Sequence, residues 1–235
     1  MERKDLVILG AGGFGREVLW QLSEVEYYSK VYNILGFVDD DPELRDKLIN
    51  GFPVLGNDEW LVNYPKEICV VICIGNPKVR KKIYEELRLN SNISFPTVIA
   101  RDVQYSDFVK FGQGSIICSS NVLTVNITIG DFVIINLDCT VGHDTILDDF
   151  VTLYPSVNVS GNVYIGSCAE IGTGVNIIQG KSIGENTVVG AGSVVVRDIP
   201  SNCTAVGVPA IPIKFHSEIQ NYKDKTLLDK VMDFI

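Results

Sequence analysis

Only two histidines, His143 and His216, occur in 235 residues, so chemistry that needs an imidazole has few places to reside. His143 stands in the run Val141-Gly142-His143-Asp144, beside a carboxylate that can orient its ring. Imidazole is the natural general base near neutral pH, suited to take a proton from an attacking nucleophile. His216 falls in a charged, amphipathic C-terminal stretch and is expected to be a solvated helix residue. The six cysteines contain no C-x-x-C pair and complete no zinc set with the histidines, so no metal site is expected.

A second kind of chemistry is written near the N-terminus. Gly10-Ala11-Gly12-Gly13-Phe14-Gly15 fits G-x-G-x-x-G, follows an apolar run and opens a helical segment. Backbone N–H groups in such a turn, together with the helix N-terminus, favour a phosphate. Asp39, Asp40 and Asp41 end the next apolar run, where an acidic side chain can meet a ribose or a base. The competing reading is that the glycines permit tight packing and the aspartates cap a turn. Gly75 and Asn76 form a second loop at the same sheet edge, ahead of a helix carrying Arg80. A nucleotide sugar suits this short segment better than NAD, because no hydride-transfer domain accompanies the loop.

The elements that must position these residues differ between the two halves. Up to about residue 96, apolar runs at 6–9, 34–38 and 69–74 alternate with helical stretches near 14–28 and 77–89, the rhythm of a small parallel α/β sheet. Beyond Pro96 the helix signals vanish. Apolar residues recur every sixth position from Ile99 through Tyr105, Phe111 and Ile117 to Val195, and Gly repeatedly follows them, as in Val141-Gly142. This period suits a coil of three short flat faces with one residue per face on the axis, the glycine giving freedom at the corner. A second inward slot four residues later holds small side chains, with Asn121 and Lys181 as misfits. Cys139 lies in that slot, which argues against a Cys/His nucleophile, whereas His143, two residues past inward Val141, belongs on the outer surface.

These repeats strongly resemble the hexapeptide-repeat family over roughly residues 99 to 196. The whole chain resembles one subgroup of it, the sialic-acid O-acetyltransferase-like and nucleotide-amino-sugar N-acetyltransferase proteins of bacterial glycan pathways. The resemblance implies a left-handed parallel β-helix behind a Rossmann-like domain, with His143 and Asp144 as the catalytic pair and Asn136 beside the substrate. It also implies an acetyl-CoA groove along later coils, with Gly161, Thr173 and Ala191 on the pantetheine arm and Val208 and Pro209 near the adenine. An alternative for that last stretch is that it simply ends the solenoid.

The fold expected is therefore α/β plus all-β: a Rossmann-like nucleotide-sugar domain over 1–96, a left-handed β-helix over 97–212 and a helical tail over 213–235. The net charge of −9 argues against nucleic acid, and no apolar run is long enough for a bilayer, so a cytoplasmic protein is expected. The reaction expected is acetyl transfer from acetyl-CoA to the amine of a UDP-, dTDP- or GDP-linked 4-amino sugar. A homotrimer is expected, because a single prism leaves His143 without walls. The alternatives are O-acetylation of sialic acid or a related sugar, and a non-catalytic nucleotide-sugar-binding scaffold.

Overall fold

The computed structural model describes residues 3–216. The N-terminal part is a six-stranded sheet of β1 (Lys4–Leu9), β2 (Tyr32–Val38), β3 (Leu48–Ile49), β4 (Phe52–Gly56), β5 (Ile68–Ile72) and β6 (Ile93–Ser94), in the order β3-β4-β2-β1-β5-β6. All pairs are parallel except β3 with β4. Helices α1 (Gly13–Glu24), α2 (Glu26–Val31), α3 (Asp58–Val62) and α4 (Pro77–Leu87) cover it. Because side chains alternate along a strand, Leu6 and Ile8 pack with Val18 and Leu22 of α1, while Val7 and Leu9 pack with Leu61 and Leu87 on the opposite face. Both faces are buried, hence the continuous apolar run. Strands β3 and β4 and helix α3 were not among the elements expected.

From Val98 the chain forms two-residue strands beginning every six residues, from β7 (Val98–Ile99) to β23 (Val194–Val195). Every third strand pairs in parallel, which makes three faces. The first contains β7, β10 (Ile116–Ile117), β13 (Ile134–Ile135), β16 (Thr152–Leu153), β19 (Glu170–Ile171) and β22 (Val188–Val189). The second contains β14 (Thr140–Val141) and its partners, and the third contains β15 (Ile146–Leu147) and its partners. The axial stack from Ile117 to Val195 is buried, each such side chain being worth about 1.5–3 kcal/mol. The run fails at its lower end: Tyr105, in the outermost coil with no neighbour beneath, is 49% exposed.

Two corner details differ from the sequence reading. The glycine after each inward residue does not supply the turn. The left-handed residue comes two positions later, as at Ser120, Phe132, Asp138 and Asp144. Gly142 is required by close stacking, since a β-carbon there would stand 2.5 Å from the amide nitrogen of Gly161. Asn121, a misfit in sequence, is buried and hydrogen-bonded: its amide donates to the carbonyls of Cys118 and Asn136 and its oxygen accepts from Cys139 N.

The N-terminal part docks on the first face and on the edge joining the third face to it. Phe132 and Phe150 stack at 5.3 Å on that edge under Tyr84, with positive φ that a bulky residue adopts only against resistance. Their burial offsets that strain. Between the two parts lies fully buried Arg80, which donates to the carbonyls of Phe132, Ile74, Gly75 and Phe150 and to Thr152 Oγ1, all within 3.0 Å. Tyr28 adds paired hydrogen bonds to the backbone of Ile99.

The solenoid ends in β24 (Cys203–Val206), which pairs with β22, and then β25 (Ile211–Phe215), which returns antiparallel to β24. Residues 213–215, expected to start a helical tail, are thus strand, and the remainder of that tail after His216 lies outside the described residues. His216 is likewise not in a helix: its Nε2 is 2.9 Å from Thr204 Oγ1 and burial lowers its pKa. Among the described residues no helix is long and apolar enough to cross a membrane, and no group of acids, histidines and cysteines is placed to hold a metal.

Candidate active site

His143 follows β14 at the edge where the second face turns into the third. Asp144 occupies the left-handed corner with φ of 57°, which swings its carboxylate back towards the preceding side chain, a contact that neighbours on a straight strand cannot make. His143 Nδ1 lies 2.8 Å from Asp144 Oδ2, with the two side chains 51% and 53% exposed. With Asp144 ionised, Nδ1 donates and Nε2 keeps its lone pair. The Asp144 carboxyl is held below its usual range by the His143 hydrogen bond and then by the amide of Asn126, 3.1 Å from Oδ1.

One coil above, Gly161 is required to be glycine by the site itself. A β-carbon there would collide with the imidazole of His143, which lies across its backbone. The Gly161 N–H makes no backbone hydrogen bond among the described residues, so a donor stands unused beside the ring. Cys139, by contrast, is fully buried in the inward slot and burial pushes its thiol up to about 12, so it is no nucleophile. All six cysteines are buried and unpaired.

The other residues assigned to the groove do not join His143 within one chain. Asn136 follows β13 and Thr173 follows β19, both at the edge between the first and second faces, and Ala191 stacks one coil above Thr173. Asn136 uses its side-chain oxygen on Leu137 N. Gly161 is at the His143 edge, separated from Thr173 and Ala191 by the whole second face. Val208 and Pro209 form the turn between β24 and β25, with Val208 exposed and Ala210 N bonded to Val194 O. That turn therefore does end the parallel stack.

In the N-terminal loop the glycines divide into two kinds. At Gly15 a β-carbon would run into the carbonyl of Gly10, so this residue serves helix–strand packing. Gly12 and Gly13 face open space, with nothing but the tip of Arg16 within 4 Å of an added β-carbon, and Phe14 packs beneath them. Helix α1 begins there with no side-chain cap and no acid in its first turn, leaving its positive end uncompensated. Asp39 braces the loop: Oδ2 accepts from Ala11 N at 2.7 Å and Oδ1 from Asp41 N at 2.9 Å, while Asp40 is exposed. Asn76 caps α4 by accepting from Lys78 N and Val79 N, and Gly75 O is held by Arg80 and Thr152.

Sequence reasoning missed Asn126, Arg80 as a docking group, and the half-buried pair Tyr154 and Glu170, whose hydroxyl–carboxylate bond of 3.0 Å faces Gly75. Asn126 was findable, because it precedes Asp144 by one 18-residue coil.

Residues 5–87 match the family described as PglD N-terminal domain. The chain is 32% identical over 214 residues to the GDP-perosamine N-acetyltransferase of Escherichia coli, covering 88% of this chain and 95% of that one. It superposes on the acetyltransferase domain of PglB from Neisseria gonorrhoeae, also solved with acetyl coenzyme A, at 32% identity and a TM-score of 0.82, covering 90% of this chain and 100% of that one. It likewise matches PerB from Caulobacter crescentus in complex with CoA and GDP-perosamine, at 31% identity and a TM-score of 0.81, over 89% of this chain and 97% of that one. The three-faced solenoid is thus the left-handed parallel β-helix of these enzymes, and the chain belongs to the acetyl-CoA-dependent, hexapeptide-repeat sugar N-acetyltransferases.

Proposed function

We propose that this protein moves the acetyl group of acetyl-CoA to the amino group of a nucleotide-linked amino-dideoxy sugar in bacterial glycan biosynthesis, acting in the cytoplasm as a homotrimer. The observation that carries this reading is the His143–Asp144 hydrogen bond beside the unused N–H of Gly161. His143 Nε2 takes a proton from the amine as its nitrogen attacks the thioester carbonyl. A carbon–nitrogen bond forms, and the Gly161 N–H supports the oxyanion. The carbon–sulfur bond then breaks and the leaving thiolate takes its proton from the imidazolium. Asp144 orients the ring and supports its charge. Gly12 and Gly13 receive the diphosphate at the start of α1, and the GDP-perosamine of the relatives makes a GDP-sugar the first to test.

The trimer reading rests on topology. The nucleotide loop rides on the first face, whereas His143 occupies the opposite edge of the same prism. Thr173, Ala191 and Asn136 lie on another edge again. A neighbouring copy that sets its first-to-second edge against the His143 edge would bring them together.

Incubation with acetyl-CoA and a panel of GDP-, UDP- and dTDP-linked 4-amino sugars, followed by thiol release and mass of the product, tests the reading. His143→Ala is expected to lower turnover by roughly 10²- to 10⁴-fold with the fold intact by circular dichroism, and Asp144→Asn by less. A His143→Ala enzyme within about threefold of wild type from pH 6 to 9 removes the base.

A further inference from the structure

We infer that Asn126 is a positioning residue for catalysis: through its side-chain amide it fixes the Asp144 carboxylate and, through that, the proton-accepting tautomer of His143. This rests on His143 being the base. Within one subunit both members of the pair are about half open to solvent, so no packing inside the chain holds the carboxylate. A carboxylate on an exposed corner is free to rotate between its imidazole neighbour and water, and each rotation away leaves Nδ1 without the acceptor that keeps its proton there. Asp144 has two oxygens and each has one partner: Oδ2 faces His143 Nδ1 at 2.8 Å, and Oδ1 accepts from Asn126 Nδ2 at 3.1 Å.

The backbone makes this arrangement specific. Asn126 and Asp144 stand one coil apart at the same edge, both in the left-handed region with φ of 55° and 57°. Asp144 N donates to Val125 O at 3.1 Å, which fixes the spacing of the two corners. Asn tolerates this conformation better than other side chains except Gly, and the corner residue above the pair, Asn162, makes no side-chain hydrogen bond to the carboxylate. A carboxylate accepts only from a donor, so the amide of Asn126 must present its nitrogen. The side chains of His143 and Asn126 are the two hydrogen-bond partners that hold the Asp144 carboxyl down, and among the described residues no lysine or arginine competes with the amide there.

The test uses the full-length protein. Asn126→Gly removes the amide while accepting the positive φ, so it separates positioning from backbone strain. Asn126→Asp keeps the size and the conformational tolerance but sets a second carboxylate against Asp144. Both are expected to lower kcat by about tenfold, with KM for acetyl-CoA and the melting temperature nearly unchanged. In Asn126→Gly the acidic limb of the kcat/KM profile moves to lower pH, because an imidazole that loses its carboxylate binds its proton less tightly. Wild-type turnover and an unmoved limb in Asn126→Gly, alongside an inactive His143→Ala, overturn the inference and leave the base in place. Near-wild-type turnover in His143→Ala overturns both.

Discussion

At the scale of single residues, the site works by omission as much as by presence. The imidazole of His143 occupies the space that a β-carbon on Gly161 would need, and the N–H of the same glycine makes no backbone hydrogen bond among the described residues. Gly161→Ala places a methyl group where the ring now sits. Because this position is on the outer edge, the axial core is untouched and the melting temperature is expected to stay within a few degrees. Turnover is expected to fall by about 100-fold, the usual consequence of displacing a reacting group by about 1 Å. Steady-state kinetics and the ring nitrogen chemical shifts of His143 check this; unchanged turnover would show that the ring is free to work elsewhere.

At the scale of elements, Arg80 ties α4 and the Gly75 loop to the prism. Its guanidinium has no carboxylate within hydrogen-bond reach and instead meets carbonyls at the Phe132 and Phe150 corners, and burial brings its pKa down to about 10. A buried charge with so many good acceptors holds one geometry, and removing it strands those acceptors. Arg80→Met is expected to cost about 3–5 kcal/mol, which for a chain of this size is roughly 6–20 °C in melting temperature. Since Gly75 O loses a partner, KM for the nucleotide sugar rises while KM for acetyl-CoA does not. Calorimetry and the two KM values test this together, and equal changes in both would contradict the placement.

At the scale of the whole molecule, the Gly12–Gly13 loop and His143 lie on opposite sides of one prism. Sedimentation is expected to show a trimer, and activity is expected to disappear on dilution or mutation to the monomer. Mixed trimers offer a sharper measurement: subunits carrying His143→Ala, blended with subunits whose Gly12 and Gly13 are both replaced by Val, should regain part of the activity. Such recovery requires one copy's loop to serve another copy's histidine. A fully active monomer would end the reading.

The sequence alone determined the period, and the period determined most of the fold. Apolar residues at every sixth position suit one inward side chain on each short strand, and that phase alone places Ile117 to Val195 on the axis. The same phase put His143 outside and Cys139 inside, because inward and outward are fixed by counting. Counting fails where energy depends on what lies across a gap. Tyr105 keeps the phase yet stays exposed, because the lowest coil has nothing beneath it. The αL corner fell two residues beyond the glycine, because the glycine answers the coil above and not its own torsion angles. Asp39 and Asn76, read as ligand contacts, spend side-chain oxygens on backbone amides: Asp39 on Ala11 N, 28 residues away, which no local pattern encodes, and Asn76 on Lys78 N as a helix cap. The meetings of Asn126 with Asp144 and of Gly161 with His143 came from stacking coils, which sets residues 18 apart side by side. Only the tertiary structure decided which of them touch, because contact depends on the direction each side chain leaves its corner.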